Sequence, residues 1–232
     1  RFENVTGSMF NDIITGDGGD NVIEGGLGND ILEGGANTAP GDTVSFASAT
    51  GAITFDLSKQ SDTVAVNTGA GLDKISGFEN AYGGKGADLL TGDGQKNTID
   101  GREGNDTIQG GAEADRLFGG LGIDTLSYSL SVNGVQIQLD QQGTFDMFGN
   151  ALDGTKQTGG DAADDLIWGF ENVIGTSVND MLFGDGVVNV LSGGKGGDTI
   201  MGRGGNDALD GGEGFVTLDY TYLAANQHIT DT

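Results

Sequence analysis

Residues 83–127 read GGKGADLLT, GDGQKNTID, GREGNDTIQ, GGAEADRLF and GGLGIDTLS when they are written in rows of nine. Every row begins with Gly, carries Asp or Asn at its sixth position and has Leu or Ile at its eighth. The same row recurs three times from Gly7 and five times from Gly175, which makes thirteen rows, with Val216 as the one apolar residue at a sixth position. The eighth-position residues are Ile14, Ile23, Leu32, Leu90, Ile99, Ile108, Leu117, Leu126, Leu182, Leu191, Ile200, Leu209 and Leu218. Chance does not produce thirteen matched rows at this glycine frequency.

Each row predicts one turn and one short strand. Six Gly-rich residues form the turn, because only Gly adopts positive φ at little cost, and three residues form a strand whose middle side chain points inward. Two rows complete a coil of about 18 residues, and successive coils stack as parallel strands about 4.8 Å apart. The prediction is an all-β solenoid. We expect rolled runs at 1–45, 77–127 and 165–219, spacers with ordinary strands at 46–76 and 128–164, and a tail or further spacer at 220–232.

A longer repeat encloses the short one. Phe-Glu-Asn begins at Phe2, Phe78 and Phe170, and each copy precedes a nonapeptide run whose second row reads Gly-Asp-Gly-x-x-Asn. Degenerate rows around Asp42, Asp73 and Asp165 join the runs to the spacers. The chain therefore resembles a piece of a longer array.

Composition excludes several classes of protein. The 232 residues include 46 Gly, one Pro and no Cys, with a net charge of −25. Interior Gly destabilises a helix by about 0.5–1 kcal/mol relative to Ala, so an all-α fold is excluded, and collagen would need abundant Pro. Apolar runs are far shorter than the roughly 20 residues that span a membrane. Nucleic acid is excluded as a partner because its binding begins with phosphate neutralisation.

The acidic residues predict a metal site. Stacking places sixth-position side chains 18 residues apart against each other, and two close carboxylates repel unless a cation lies between them. Carboxylate and carbonyl oxygens in an irregular set suit Ca²⁺ better than Mg²⁺, and one His without Cys argues against Zn²⁺. About seven Ca²⁺ would reduce the charge to roughly −11. The candidate side-chain ligands are Asp12, Asp30, Asp88, Asp106, Asp115, Asp124, Asp180, Asp198, Asp207, Asn21, Asn97, Asn189, Asp42, Asp73 and Asp165.

The rows GGLGND, GGKGAD, GGLGID and GGKGGD resemble the repeat-in-toxin (RTX), or hemolysin-type, calcium-binding nonapeptide. This resemblance implies a parallel β-roll, export unfolded by type I secretion, and folding in millimolar calcium outside the cell. It also implies carbonyl ligands from the turns, here Gly25, Gly26, Gly28, Gly83, Gly84, Gly86, Gly101, Gly104, Gly110, Gly111, Gly119, Gly120, Gly122, Gly193, Gly194, Gly196 and Gly202. Asn21, Asn97 and Asn189 depart from the pattern, as does Val216, which cannot ligate.

Two functions from different classes follow. The first is a non-enzymatic calcium-binding segment of a secreted or cell-surface bacterial protein, with a structural or adhesive role. Its partners would be calcium, neighbouring repeats of the same long chain, and a cell-surface or polysaccharide partner. The alternative is an accessory module of a secreted lipase, protease or alginate epimerase, with catalysis outside this chain. No G-x-S-x-G or H-E-x-x-H motif occurs, so we expect no enzyme here. We expect Trp168, Phe78 and Phe170 to cap the core rather than bind sugar.

Overall fold

The computed structural model describes residues 3–36, 41–69, 71–145 and 151–219. One face of the molecule is a seven-stranded parallel sheet. In spatial order its strands are β1 (Asn4–Thr6), β3 (Val22–Glu24), β5 (Thr43–Ser45), β9 (Asn80–Tyr82), β11 (Thr98–Asp100), β13 (Arg116–Phe118) and β18 (Leu166–Trp168). The same face continues in a four-stranded parallel sheet. It is made of β15 (Gln136–Gln138), β20 (Met181–Phe183), β22 (Thr199–Met201) and β24 (Thr217–Leu218).

The opposite face also carries a long and a short sheet. The long one contains β6 (Thr54–Asp56), β10 (Leu89–Thr91), β12 (Thr107–Gln109), β14 (Thr125–Ser127), β19 (Asn172–Ile174), β21 (Val190–Ser192) and β23 (Ala208–Asp210). The short one contains β2 (Ile13–Thr15), β4 (Ile31–Glu33), β8 (Leu72–Ser76) and the antiparallel β7 (Ser61–Asn67). The remaining elements are the hairpin β16 (Thr144–Phe145) and β17 (Ala151–Leu152), and 3-10 turns at Leu57–Lys59, Leu139–Gln141 and Gly160–Ala162.

Strand pairing follows the nonapeptide register. Ile99 pairs with Leu117 and Ile108 with Leu126, in each case 18 residues apart and in parallel. Their side chains meet in a single core between the two faces, where eighth-position residues from Leu90 to Ile200 are fully buried. A three-residue strand cannot bury its own apolar side chain, so stability comes from stacking. The predicted all-β parallel roll is confirmed.

Each spacer interrupts only one face of the roll. At the first spacer, β8 is the last parallel strand of the sheet begun by β2, and the antiparallel β7 lies beyond it. A new parallel sheet starts at β6, while β5 and β9 pair directly across the break. At the second, β18 ends one stack and β15 starts another, while β14 and β19 pair across it. The two breaks fall on opposite faces, so a continuous sheet passes each spacer.

Each spacer also holds the next Phe-Glu-Asn block through a glutamine. Gln60 donates from Nε2 to the Phe78 carbonyl at 2.6 Å and accepts the Phe78 N–H at 2.9 Å. Gln142 does the same with Phe170, at 2.9 and 3.0 Å. Phe78 and Phe170 are buried in the apolar core, and Trp168 is buried against Phe118 beside it. The spacer limits stay predictions, and residues 220–232 lie outside the described part of the chain.

Within the described ranges, no helix has the length and apolar character needed to cross a bilayer.

Candidate metal centre

Sixth-position carboxylates link each turn to the turn of the preceding coil, which we call the turn beneath it. Asp106 Oδ1 accepts the Asp88 backbone N–H at 2.8 Å, and Asp124 Oδ1 accepts that of Asp106 at 2.8 Å. The same bond joins Asp12 to Asp30, Asn21 to Asp42, Asn97 to Asp115, Asp180 to Asp198 and Asn189 to Asp207. Apart from Asn21 and Asp42, which lie 21 residues apart, these are residue pairs that the 18-residue spacing predicts.

The second carboxylate oxygen has no donor in a subset of these turns. In Asp106, Asp115 and Asp124 the Oδ2 atom is buried without a hydrogen-bond partner, and the whole residue is at most 1 % exposed. Asp30 and Asp198 share this state. An unsatisfied buried polar group costs about 1–3 kcal/mol, and more when it is charged. Each of these oxygens therefore requires a proton or a cation.

Backbone carbonyl oxygens lie beside the sixth-position Oδ2 atoms, next to the first glycine of each turn. A Cβ added to Gly101 would come within 3.0 Å of both Asp106 Oδ2 and the Gly119 carbonyl oxygen of the next turn. At Gly175 it would meet Asp180 Oδ2 and the Gly193 carbonyl in the same way. Only glycine leaves this pocket open, and its walls offer oxygen ligands from two successive turns.

Most of the glycines that the family resemblance implicates have one of three placements. First-position residues border the carboxylate of their own turn: Gly25, Gly83, Gly101, Gly110, Gly119, Gly193 and Gly202. Second-position residues with positive φ face the second carbonyl of the turn beneath: Gly26, Gly111, Gly120 and Gly194. Fourth-position residues with positive φ face the fourth residue of that turn: Gly28, Gly104, Gly122 and Gly196. Gly84 and Gly86 instead lie against the first spacer, at Ala49 and Gly51.

The second-position backbone separates two kinds of turn. In five turns with a positive φ at this position, among them those of Gly111 (98°) and Arg102 (75°), the sixth-position Oδ2 is buried without a donor. Arg203 (65°) also has a positive φ, but Asp207 of its turn is not in this buried, donor-free set. In the two turns that open each run, the second-position N–H instead donates to the sixth-position side chain, as from Gly84 to Asp88 at 2.6 Å. The other opening bonds are Ser8 to Asp12, Asp17 to Asn21, Asp93 to Asn97, Thr176 to Asp180 and Asp185 to Asn189. The nonapeptide pattern alone did not reveal this division.

Burial makes the stacked carboxylates weak acids in the absence of a cation. Desolvation raises the pKa of Asp106 to about 7, with further contributions from the charges of Asp88 and Asp124. Desolvation raises that of Asp115 to about 8, and the neighbouring Asp165 adds to it. The pKa values of Asp30, Asp124, Asp198 and Asp207 are raised for the same main reason. A bound cation would remove this penalty.

Two of the three degenerate rows have both carboxylate oxygens bonded by protein groups. Asp73 accepts the Asp30 N–H on one oxygen and the Thr68 hydroxyl on the other. Asp165 accepts the Asp115 N–H and the Tyr128 hydroxyl. The Asp42 turn lies partly outside the described residues, and Asp42 Oδ1 accepts the Asn21 N–H. Val216 packs against the core and offers no side-chain oxygen.

Sequence reasoning missed two glutamates. Glu79 Oε2 accepts the Asp42 N–H, and Glu171 Oε2 accepts the Asp124 N–H, both at 2.8 Å, as an aspartate does elsewhere. The signal was available, because each glutamate lies in Phe-Glu-Asn and 18 residues before Asn97 or Asn189.

The donor set fits calcium. Among the described residues, no three Asp, Glu, His or Cys side chains gather around one point, so a bound ion would take backbone carbonyls together with one or two carboxylates. Such an all-oxygen, irregular set suits Ca²⁺.

A family profile for the RTX calcium-binding nonapeptide repeat (HemolysinCabind) matches the chain in four copies, at residues 6–38, 75–106, 91–126 and 183–218. Together these copies cover just over half of the sequence. The chain belongs to this family, whose repeats bind calcium. A comparison with curated proteins found no match.

Proposed function

We propose that this chain is a calcium-binding β-roll segment in which ions bind between successive turns and drive folding. The observation that carries the proposal is the set of buried, donor-free Oδ2 atoms beside inward carbonyls. On this basis we propose ions at the turns of Asp30, Asp106, Asp115, Asp124 and Asp198. The turns of Asp42 and Asp207 share the same bond to the turn beneath, and we include them.

Calcium binding and folding are coupled because the site does not exist in the unfolded chain. Its ligands come from two turns that meet only after coils stack, so binding free energy is folding free energy. Extracellular calcium modules bind with dissociation constants of about 10⁻⁴–10⁻³ M. The chain would stay unfolded in cytosolic calcium and fold outside, which suits a protein exported by type I secretion.

We further propose a structural or adhesive role in a secreted or cell-surface protein, with neighbouring repeats of the same chain as partners. Within the described residues, β1 and β2 at one end, and β23 and β24 at the other, each pair with a single neighbour. Their free edges can pair with adjoining repeats of the same long chain, since an exposed strand edge is a template for a further strand.

The test is a calcium titration followed by far-ultraviolet circular dichroism, with magnesium as the control. We expect a cooperative transition from coil to β-structure near millimolar calcium and none with magnesium. The variant Asp106→Asn should raise the midpoint, whereas Asp210→Asn, at an exposed strand position, should not. A β-spectrum in EDTA that calcium leaves unchanged would contradict the proposal.

A further inference from the structure

Two short turns interrupt the stacks of nonapeptide turns. Residues 77–79 connect β8 to β9, and residues 169–171 connect β18 to β19, each with the sequence Gly-Phe-Glu. These turns have three residues where a nonapeptide turn has six. Gly77 and Gly169 adopt positive φ, at 74° and 68°, and the phenylalanine enters the core.

We call each Gly-Phe-Glu turn and the nonapeptide turns on either side of it a junction. Its glutamate bonds the turn beneath. Glu79 Oε2 and Glu171 Oε2 accept the backbone N–H of Asp42 and Asp124. In an ordinary stack, that N–H is bonded by the sixth-position aspartate of the turn above. The longer glutamate side chain thus supplies the same acceptor from a turn that is too short to present an aspartate there.

An asparagine closes the junction on its upper side. Asn97 Nδ2 donates to the Glu79 carbonyl oxygen at 2.7 Å, and Asn189 Nδ2 donates to that of Glu171 at 2.8 Å. The Oδ1 atom of each asparagine accepts the second-position N–H of its own turn, from Asp93 or Asp185. An aspartate could accept but not donate, so the amide is needed at this position.

The neighbouring polar groups are also bonded within the protein. Asn80 Oδ1 accepts the Thr98 N–H at 2.7 Å, and Asn172 Oδ1 accepts the Val190 N–H at 2.9 Å. Asp93 Oδ1 accepts the Gln95 N–H at 2.8 Å, so this displaced acid closes its own turn. The oxygens that meet at the junction therefore already have N–H donors. The Asn97 Oδ1 atom that faces Gly92 is bonded to the Asp93 N–H, and the amide group of Asn97 donates to the Glu79 carbonyl.

We propose that the Gly-Phe-Glu turns, together with Asn97 and Asn189, are ion-free seals that divide the bound calcium into separate groups. The inference rests on the proposed function, because it takes the ions to lie between nonapeptide turns. The groups are Asp30 and Asp42 in the first run, Asp106, Asp115 and Asp124 in the second, and Asp198 and Asp207 in the third. Asp106 and Asp124 join stacked nonapeptide turns within the second run, whereas Glu79 and Glu171 take the place of an aspartate at the junctions, so we expect calcium binding in one run to be independent of binding in the next.

The first experiment counts bound ions by native mass spectrometry of the full chain in saturating calcium. Asp115→Asn should lose one ion, and Glu79→Gln and Asn97→Ala should lose none. Loss of an ion in Glu79→Gln would overturn the proposal, because Glu79 would then be a ligand. An unchanged count in Asp115→Asn would instead contradict the ligand set of the proposed function, so the two failures are distinguishable.

The second experiment measures independence with Trp168, the sole tryptophan of the chain. Its ring stacks on Phe118 of the second run, with centroids 4.4 Å apart. In calcium titrations followed by fluorescence, Asp115→Asn should shift the Trp168 midpoint upward, and Asp198→Asn should leave it in place while losing one ion. An equal shift in both variants would overturn the division into groups.

Discussion

The hydroxyl of Tyr128 donates a hydrogen bond of 2.8 Å to Asp165 Oδ2, and the two buried residues lie 37 positions apart. Asp165 Oδ1 accepts the Asp115 N–H, as stacked aspartates do. The Tyr128 hydroxyl therefore bonds Oδ2, the oxygen that has no donor in other turns. Tyr128, at the start of the second spacer, thereby satisfies the Asp165 carboxylate with a protein group.

Tyr128→Phe should destabilise the calcium-loaded roll. The substitution leaves Asp165 Oδ2 buried without a donor, which costs about 1–3 kcal/mol. Urea unfolding at saturating calcium measures the loss. Tyr82→Phe, at a half-buried position on the outer face, is the matched control and should change stability by less. Equal stability of Tyr128→Phe and the wild type would show that the phenol does not satisfy Asp165.

Gly101→Ala should prevent calcium-dependent folding of the second run. Its Cβ would come within 3.0 Å of Asp106 Oδ2 and of the Gly119 carbonyl, so it would fill the space between two ligands. Gly94→Ala is the control, because a Cβ there meets nothing within 4 Å. Calcium titration by circular dichroism compares the two variants. Matching midpoints would mean that this space holds no ion.

Calcium binding should release protons near pH 7. The raised pKa values of Asp106 and Asp115 mean that protonation stabilises the calcium-free roll fully below about pH 4, and that this contribution is lost as the pH rises through about 7 and 8. Acid therefore favours the calcium-free roll, and calcium binding must displace protons from these carboxyls.

Calorimetry in buffers of different ionisation enthalpy measures this release. We expect proton release at pH 7 and much less at pH 9.5, with a higher calcium midpoint at pH 5.5 than at pH 8. Binding at pH 7 without proton release would show that the carboxyls are already ionised in the calcium-free state.

Gln142→Glu should weaken the attachment of the second spacer to the roll. The substitution removes the Nε2 donor to the Phe170 carbonyl and places a carboxylate oxygen against it, for a cost of about 1–3 kcal/mol. Gln95→Glu, at an exposed turn, changes charge equally and serves as the control. Thermal unfolding at fixed calcium compares them, and equal losses would make the effect one of charge alone.

Much of the fold was predictable from residue spacing. Gly101 and Ile108 belong to one row of nine, and an 18-residue coil brings Ile108 against Leu126, as the strand pairs show. The pairing of sixth-position side chains followed from the same arithmetic. The division of those side chains was not predictable, because Asp88 and Asp106 have the same local sequence role. They differ in whether a spacer or a nonapeptide turn lies beneath them.

The sequence by itself determined the repeat, the inward aliphatic residues, the acidic turns and the family, because each depends on contacts between positions a constant distance apart. Only the tertiary structure decided which carboxylates have a donor-free oxygen, where Glu79 and Glu171 reach, and how the spacers join the sheets. These depend on contacts such as Asp115 with Asp165 and Asn97 with Glu79, which form only when separate segments stack at a junction. The nonapeptide spacing specifies the contacts that repeat along the roll. The contacts of the spacers and of the Gly-Phe-Glu turns depend on which segments folding places beside them.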